Sequence, residues 1–122
     1  MKILIIEDDA SIAKLYQIEL SAKGFEVEVA SDGETALAKI KDWKPNLALI
    51  DIMIPKINGL DVLKTIKANP AFSTIKTVML TNFGQENIVK EAFNSGADDY
   101  LLKYQTTPSE VADKIGKMLY AA

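Results

Sequence analysis

The sequence predicts an α/β domain in which a five-stranded parallel sheet is doubly wound, with helices on both faces. Two observations carry that expectation. Five short apolar runs recur, at Ile3–Ile6, Phe25–Ala30, Leu47–Ile50, Thr77–Leu80 and Tyr100–Leu102, and stretches with helical spacing lie between and after them. Strict strand–helix alternation leaves few arrangements other than a parallel sheet, because crossovers between parallel strands are right-handed. The 122 residues suit one domain over 1–122, and no linker, internal repeat or low-complexity segment interrupts them.

The elements follow in order. Ile3–Ile6 is apolar at every position, as in a strand covered on both faces. Asp8 and Asp9 both suit an N-cap for the first helix, a role that fits Asp9 better, and Gly24 suits its stop. The second run alternates as Phe25-Glu26-Val27-Glu28-Val29, which suits an edge strand. Ser31-Asp32-Gly33-Glu34 reads as a capping box for the second helix. Leu47–Ile50 is again continuously apolar, and Leu60, Leu63 and Ile66 form the buried stripe of a third helix. Val78–Leu80 is the third continuous run. After it, Val89, Ala92 and Phe93 make a stripe that stops at Gly96. Thr107-Pro108-Ser109-Glu110 is a second capping box with Pro at the first helical position, and Val111, Ile115, Met118 and Leu119 complete the last stripe. No linker composition follows it, which points to a stand-alone domain.

Composition narrows the chemistry. Lys and Arg total 14 against 17 Asp and Glu, a net charge of −3. Nucleic acid and anionic lipid attract clustered cations, so direct binding to either is not expected. The chain has no Cys and no His. Disulfides, thiolate catalysis and Cys-ligated zinc are excluded, and so is imidazole as base or ligand. Carboxylates, hydroxyls and lysines must carry any reaction. The apolar part of MKILIIEDD is too short for a signal peptide, and no apolar run approaches the ~20 residues of a membrane span. A cytoplasmic protein is expected.

Open α/β sheets bind ligands beyond the carboxyl ends of their strands. The first run is followed there by Glu7, Asp8 and Asp9, the third by Asp51, the fourth by Thr81 and the fifth by Lys103. Taken singly, each suits a structural role: a cap, a strand end, a solvated charge. Asp51 resists that reading, because Ile52-Met53-Ile54-Pro55 follows it and no helix starts there. Jointly the positions converge on one sheet edge. Packed carboxylates repel and raise one another's pKa, which a divalent cation relieves. All-oxygen ligands favour Mg²⁺, with Mn²⁺ able to substitute, over zinc. A lysine opposite the metal completes a cradle for a phosphoryl group. With no P-loop or Gly-rich nucleotide fingerprint, the simplest way to hold that group is covalently on a carboxylate.

Four segments in this order, ILIIEDD, LIDIMIPKINGLDVL, VMLTN and GADDYLLK, closely resemble the receiver domains of bacterial response regulators, the phosphorylated half of two-component systems. The resemblance covers essentially the whole chain and implies a flavodoxin-like (βα)5 fold, similar to the single-domain chemotaxis regulators. It implies Asp51 as phosphoacceptor. Asp8 is then a direct metal ligand, Glu7 a ligand through water, and the Met53 backbone carbonyl a further one. Thr81 resembles the switch hydroxyl, Lys103 the phosphate-pairing lysine and Tyr100 the aromatic switch residue. Pro55 and Gly59 match the family's shaped loop. Met53, Asn82 and Phe83 occupy positions that govern access to the phosphoryl group.

The resemblance further implies phosphorylation by a histidine kinase or a histidine phosphotransfer protein, whose histidine is the one this chain lacks. A downstream target would read the face formed by the fourth helix, fifth strand and fifth helix, on a monomer or a phosphorylation-dependent dimer. Such a module promotes only its own phosphorylation and dephosphorylation and is otherwise not an enzyme. Two positions depart from the family pattern: Tyr104 stands where Pro usually follows the lysine, so a trans Lys103–Tyr104 bond is expected, and Asn82 stands where a small residue is common. Two other readings compete. An Asp-nucleophile phosphohydrolase or phosphotransferase would need a cap or a second general acid, and apolar Ile52 and Met53 follow Asp51 instead. A degenerate receiver would lack part of the set Asp8, Asp51, Thr81 and Lys103.

Overall fold

Five strands, β1 (Lys2–Ile6), β2 (Glu26–Ala30), β3 (Leu47–Asp51), β4 (Lys76–Thr81) and β5 (Asp99–Leu102), pair in parallel in the order β2-β1-β3-β4-β5. The computed structural model describes residues 1–54, 56–81, 86–103 and 106–120. Helices α1 (Ala10–Ala22), α2 (Gly33–Trp43), α3 (Gly59–Ala68), α4 (Glu86–Asn94) and α5 (Pro108–Tyr120) alternate with the strands. The alternating β2 segment lies at a sheet edge, as its pattern predicts.

Alternation along each strand divides the core in two. Leu4, Ile6, Ala48, Ile50 and Met79 pack on one face, against Ala36 and Ile40 of α2, Val62, Leu63 and Ile66 of α3, and Ala92 of α4. Ile3, Ile5, Leu47, Leu49, Val78 and Leu80 pack on the other, against Ala13, Tyr16 and Leu20 of α1 and Val111, Ala112 and Ile115 of α5. Both faces are therefore covered, which is why β1, β3 and β4 are continuously apolar. At roughly 25 cal/mol per Å² of apolar surface removed from water, each fully buried Leu or Ile contributes about 1.5–3 kcal/mol.

Helix ends largely follow the local chemistry. Asp9 caps α1, its carboxylate accepting from the amides of Ser11 (2.9 Å) and Ile12 (3.1 Å). The box before α5 is reciprocal: Thr107 Oγ1 accepts from the Glu110 amide at 3.1 Å, and Glu110 Oε1 accepts from the Thr107 amide at 3.2 Å. Gly24 and Gly96 follow α1 and α4 with φ of 92° and 101°, a region open to glycine without steric cost.

Two expectations are corrected. The cap of α2 is Asp32 and not Ser31: the Asp32 carboxylate accepts from the Thr35 amide (2.7 Å) and hydroxyl (3.1 Å), and the helix begins one residue later than the capping box implies. Asp caps as well as Ser, so the tertiary fit of Gly33 decides the register. In α4 the core-facing residues are Ala92 and the partly buried Ile88; Phe93 is 43% exposed. Phe93 instead meets Tyr100 of β5 edge-on, with centroids 5.6 Å apart and planes at 87°.

Lys44 ends α2 in the left-handed region, at φ 53° and ψ 69°. A Cβ is disfavoured there, so Lys44→Gly is expected to raise the stability by about 0.5–1 kcal/mol, the relief of left-handed strain exceeding the extra freedom of the unfolded chain. Urea unfolding monitored by circular dichroism measures it; a lowered midpoint would contradict the cap geometry.

Candidate functional site

The crevice where strand order reverses, between β1 and β3, gathers the charges. Glu7 extends β1 by one ladder step, its amide donating to the Ala30 carbonyl at 3.0 Å. Asp51 is the last residue of β3 and not the residue after it, 4% exposed. Lys103 extends β5, its amide donating to the Thr81 carbonyl at 2.8 Å. The ends of β1, β3 and β5 thus bring three side chains, Glu7, Asp51 and Lys103, to one another.

The Lys103 ammonium lies 2.9 Å from Asp51 Oδ2 and 2.6 Å from Glu7 Oε1. The Asp51 contact is an aligned hydrogen bond. The Glu7 contact is a charge contact only, since Glu7 Oε1 is buried with no aligned hydrogen-bond donor. Asp51 Oδ1 accepts from the Met53 amide at 3.1 Å. Exposed Asp8 completes a cluster with Glu7 and Asp51 in which one oxygen from each lies within 4.8 Å of the others.

Electrostatics follow from that geometry. Burial, and then the neighbouring Asp51 carboxylate, push the Glu7 carboxyl up to about 8, against a smaller opposing pull from Lys103. Burial disfavours the Lys103 ammonium, yet its close contacts with the Glu7 and Asp51 carboxylates outweigh it and hold the amine above the ordinary lysine value. The pocket therefore carries more negative charge than Lys103 neutralises. Three carboxylates, all oxygen donors and one of them buried without an aligned hydrogen bond, fit a hard divalent cation: the donor chemistry suits Mg²⁺ or Mn²⁺, and the excess charge favours either.

The remaining predicted residues surround this cluster. Thr81 ends β4, 1% exposed, and its hydroxyl donates across to the Leu101 carbonyl at 3.5 Å, not to Asp51. Tyr100 is 38% exposed and pairs with Phe93 outside the crevice, and Met53 is 61% exposed at its mouth. Gly59 is buried at the start of α3, where a Cβ would overlap the Asp51 carbonyl oxygen. Any larger residue would push α3 off the acceptor strand. Pro55, Asn82, Phe83 and the Lys103–Tyr104 bond lie outside the described residues. Two participants escape the sequence reading. The Met53 amide serves as a donor to Asp51, which no side-chain pattern could signal. Phe93 partners Tyr100, although its spacing reads as core.

The chain is similar in sequence and in fold to known proteins. The sequence model described as "Response regulator receiver domain" matches residues 3–115. The DNA-binding response regulator MtrA of Mycolicibacterium paratuberculosis is 39% identical over 102 residues, which cover 84% of this chain and 44% of that protein. The chain thus spans less than half the length of this curated relative. The crystal structure of a CheY-like response regulator receiver domain protein from Methanospirillum hungatei is 34% identical, with a TM-score of 0.86, over 97% of this chain and 92% of that one. The Mn²⁺-bound form of response regulator Rcp1 is 27% identical, with a TM-score of 0.86, over 99% of this chain and 95% of that one.

A pH dependence follows from Glu7. In the unfolded chain its proton leaves near the ordinary 4.5, and in the folded protein near 8. Between those values the folded state holds a proton that the unfolded state has lost, so stability falls as pH rises from about 4.5 to about 8. Glu7→Gln removes this titration. With chelator present, urea midpoints are expected to show the variant gaining on the wild type between about pH 5 and pH 8, in the direction that linkage requires. A difference that stays constant with pH would contradict the buried, charge-crowded setting of Glu7.

Proposed function

The chain belongs to the response regulator receiver domain family, and on that premise we propose that Asp51 accepts a phosphoryl group and that the domain, 1–122, signals by the change of shape that follows. The observation that carries this reading is the setting of Asp51: a buried carboxylate ending the central strand, bonded through Oδ2 to Lys103 and through Oδ1 to the Met53 amide. Members of this family act in signalling, and the matches give a phosphohydrolase no support. The donor is a phosphohistidine, on a histidine kinase or a histidine phosphotransfer protein. Both supply the imidazole that this chain does not contain.

In this reaction an Asp51 oxygen attacks phosphorus in line. The new O–P bond forms as the P–N bond to the donor imidazole breaks, and the departing nitrogen takes up a proton from solvent. Lys103, already 2.9 Å from Asp51, offsets charge on the phosphoryl oxygens. Asp8, Asp51 and the Met53 carbonyl would hold Mg²⁺, or Mn²⁺ in its place, with Glu7 acting through water; when bound, the cation neutralises charge on the transferring group. The Lys103 ammonium and the Met53 amide keep the acceptor oxygens aimed into the crevice.

The phosphorylated side chain brings new acceptor oxygens. The Thr81 hydroxyl leaves the Leu101 carbonyl for one of them, and Tyr100 leaves Phe93 and turns inward. The face of α4, β5 and α5 changes, and phosphorylation shifts the population between the two arrangements by the difference in its contacts with each. A downstream protein, or a second copy, reads that face.

Acetyl phosphate with Mg²⁺ is expected to add one phosphoryl group to the wild type and none to Asp51→Asn, by intact mass. Stoichiometric, metal-dependent modification of the variant would sink the assignment. The acyl phosphate is also expected to persist for many minutes. Neither Met53 nor Phe83, at the access positions, has a side chain that can orient an attacking water by hydrogen bonding. Met53→Asn combined with Phe83→Glu should accelerate decay by roughly tenfold, equivalent to about 1.4 kcal/mol of barrier. Wild-type decay within seconds, or a double variant no faster, would contradict water exclusion.

A further inference from the structure

The N-terminus of α2 presses on Ile57, in the segment that follows Asp51. Gly33 is buried, and a Cβ there would overlap the Ile57 carbonyl oxygen and come within 2.6 Å of the Ile57 Cβ. Two residues along, Gly59 makes the same kind of contact with the Asp51 carbonyl. The backbone from Ile57 to Gly59 is thus gripped between α2 and the acceptor strand, by close approach of a glycine at each contact.

Other groups fix the outer half of this grip. Asp32 ends α2 by accepting from the Thr35 amide and hydroxyl at 2.7 and 3.1 Å. Lys56 reaches toward the Asp32 and Glu34 carboxylates at 4.0 and 3.8 Å. Its own φ of 69° is one that a lysine adopts at a cost, so its surroundings hold it there. The near end of the same loop carries the Met53 amide, 3.1 Å from Asp51 Oδ1.

We propose that Gly33 and Asp32 are positioning residues for the phosphoryl site: they set the depth of the β3–α3 loop and, through it, the place of the Met53 main chain beside Asp51. The inference rests on the phosphoacceptor reading of Asp51. An atom added at Gly33 must push Ile57 or α2 aside. Gly59 lies against the Asp51 carbonyl and donates its amide to the Ile52 carbonyl at 2.9 Å, so displacement at Ile57 passes through that contact to the main chain at Ile52 and Met53. A purely helical role for Gly33 predicts instead a gain in helix stability on replacement by alanine and no change at Met53.

The test compares wild type, Gly33→Ala, Asp32→Ala and Asp32→Asn by two readouts: Mn²⁺ affinity, and hydrogen exchange of the Met53 amide by NMR. Gly33→Ala should weaken Mn²⁺ binding by about fivefold and speed exchange at Met53. Asp32→Ala, which loses the cap, should do the same by about threefold, while Asp32→Asn, which keeps it, stays near wild type. If Gly33→Ala does not fold, the Asp32 pair decides. Unchanged Mn²⁺ affinity and Met53 exchange in Gly33→Ala, or equal values in Asp32→Ala and Asp32→Asn, would overturn the proposal. Neither readout involves phosphorylation, so its failure is distinct from a wild type that takes no phosphoryl group at Asp51.

Discussion

Two buried carboxylates share a single ammonium at the mouth of the sheet. Glu7 is 1% exposed and Asp51 4%, and Lys103 touches both. Removing an ion from water costs several kcal/mol, and a neighbouring opposite charge repays this only when every lone pair finds a donor. Here one does not: Glu7 Oε1 lacks an aligned hydrogen bond. The pocket is held in an unfavourable state of charge by the rest of the fold. Raised proton affinity at Glu7 and a fit to a hard dication are two consequences of that one imbalance. Lys103 is also drawn to Asp51, where it can meet the oxygens of a transferred phosphoryl group.

The fold sustains this imbalance because the sheet is buried on both faces. Ten of the strand side chains that pack against helices on the two faces, Ile3 to Ile6, Leu47 to Ile50, Val78 and Leu80, are fully buried. Their burial is spent partly on fixing Glu7 and Asp51, which cannot relax toward water without breaking the β1–β2 and β3–β4 ladders. The outlet for conformational change lies elsewhere. Thr81 donates a long bond of 3.5 Å to the Leu101 carbonyl, and Tyr100 rests half-exposed against Phe93. Both contacts are weak enough to exchange for better ones, whereas the Asp51–Lys103 pair is not.

Much of this was legible in the residues. Continuous apolar runs gave a sheet covered on both faces, and alternation at Glu26 and Glu28 gave its edge. The strand-end rule brought Glu7, Asp8, Asp51, Thr81 and Lys103 to one crevice without reference to any relative. The misses share a cause, which is tertiary contact overriding local pattern. Ser31 and Asp32 are equally good caps, and the approach of Gly33 to the Ile57 backbone selects between them. Phe93 has core spacing, but β5 offers it an aromatic edge at the surface. The Met53 amide was invisible because main-chain donors carry no residue signature.

The most direct measurement of the central claim is chemical trapping. Borohydride reduces an acyl phosphate on aspartate to homoserine, so the modified residue can be read by peptide sequencing after treatment with a phosphohistidine donor and Mg²⁺. The account predicts homoserine at position 51, and its loss when the cation is chelated. Homoserine at Asp8 or at any other carboxylate, or formation at position 51 that ignores chelation, would contradict it.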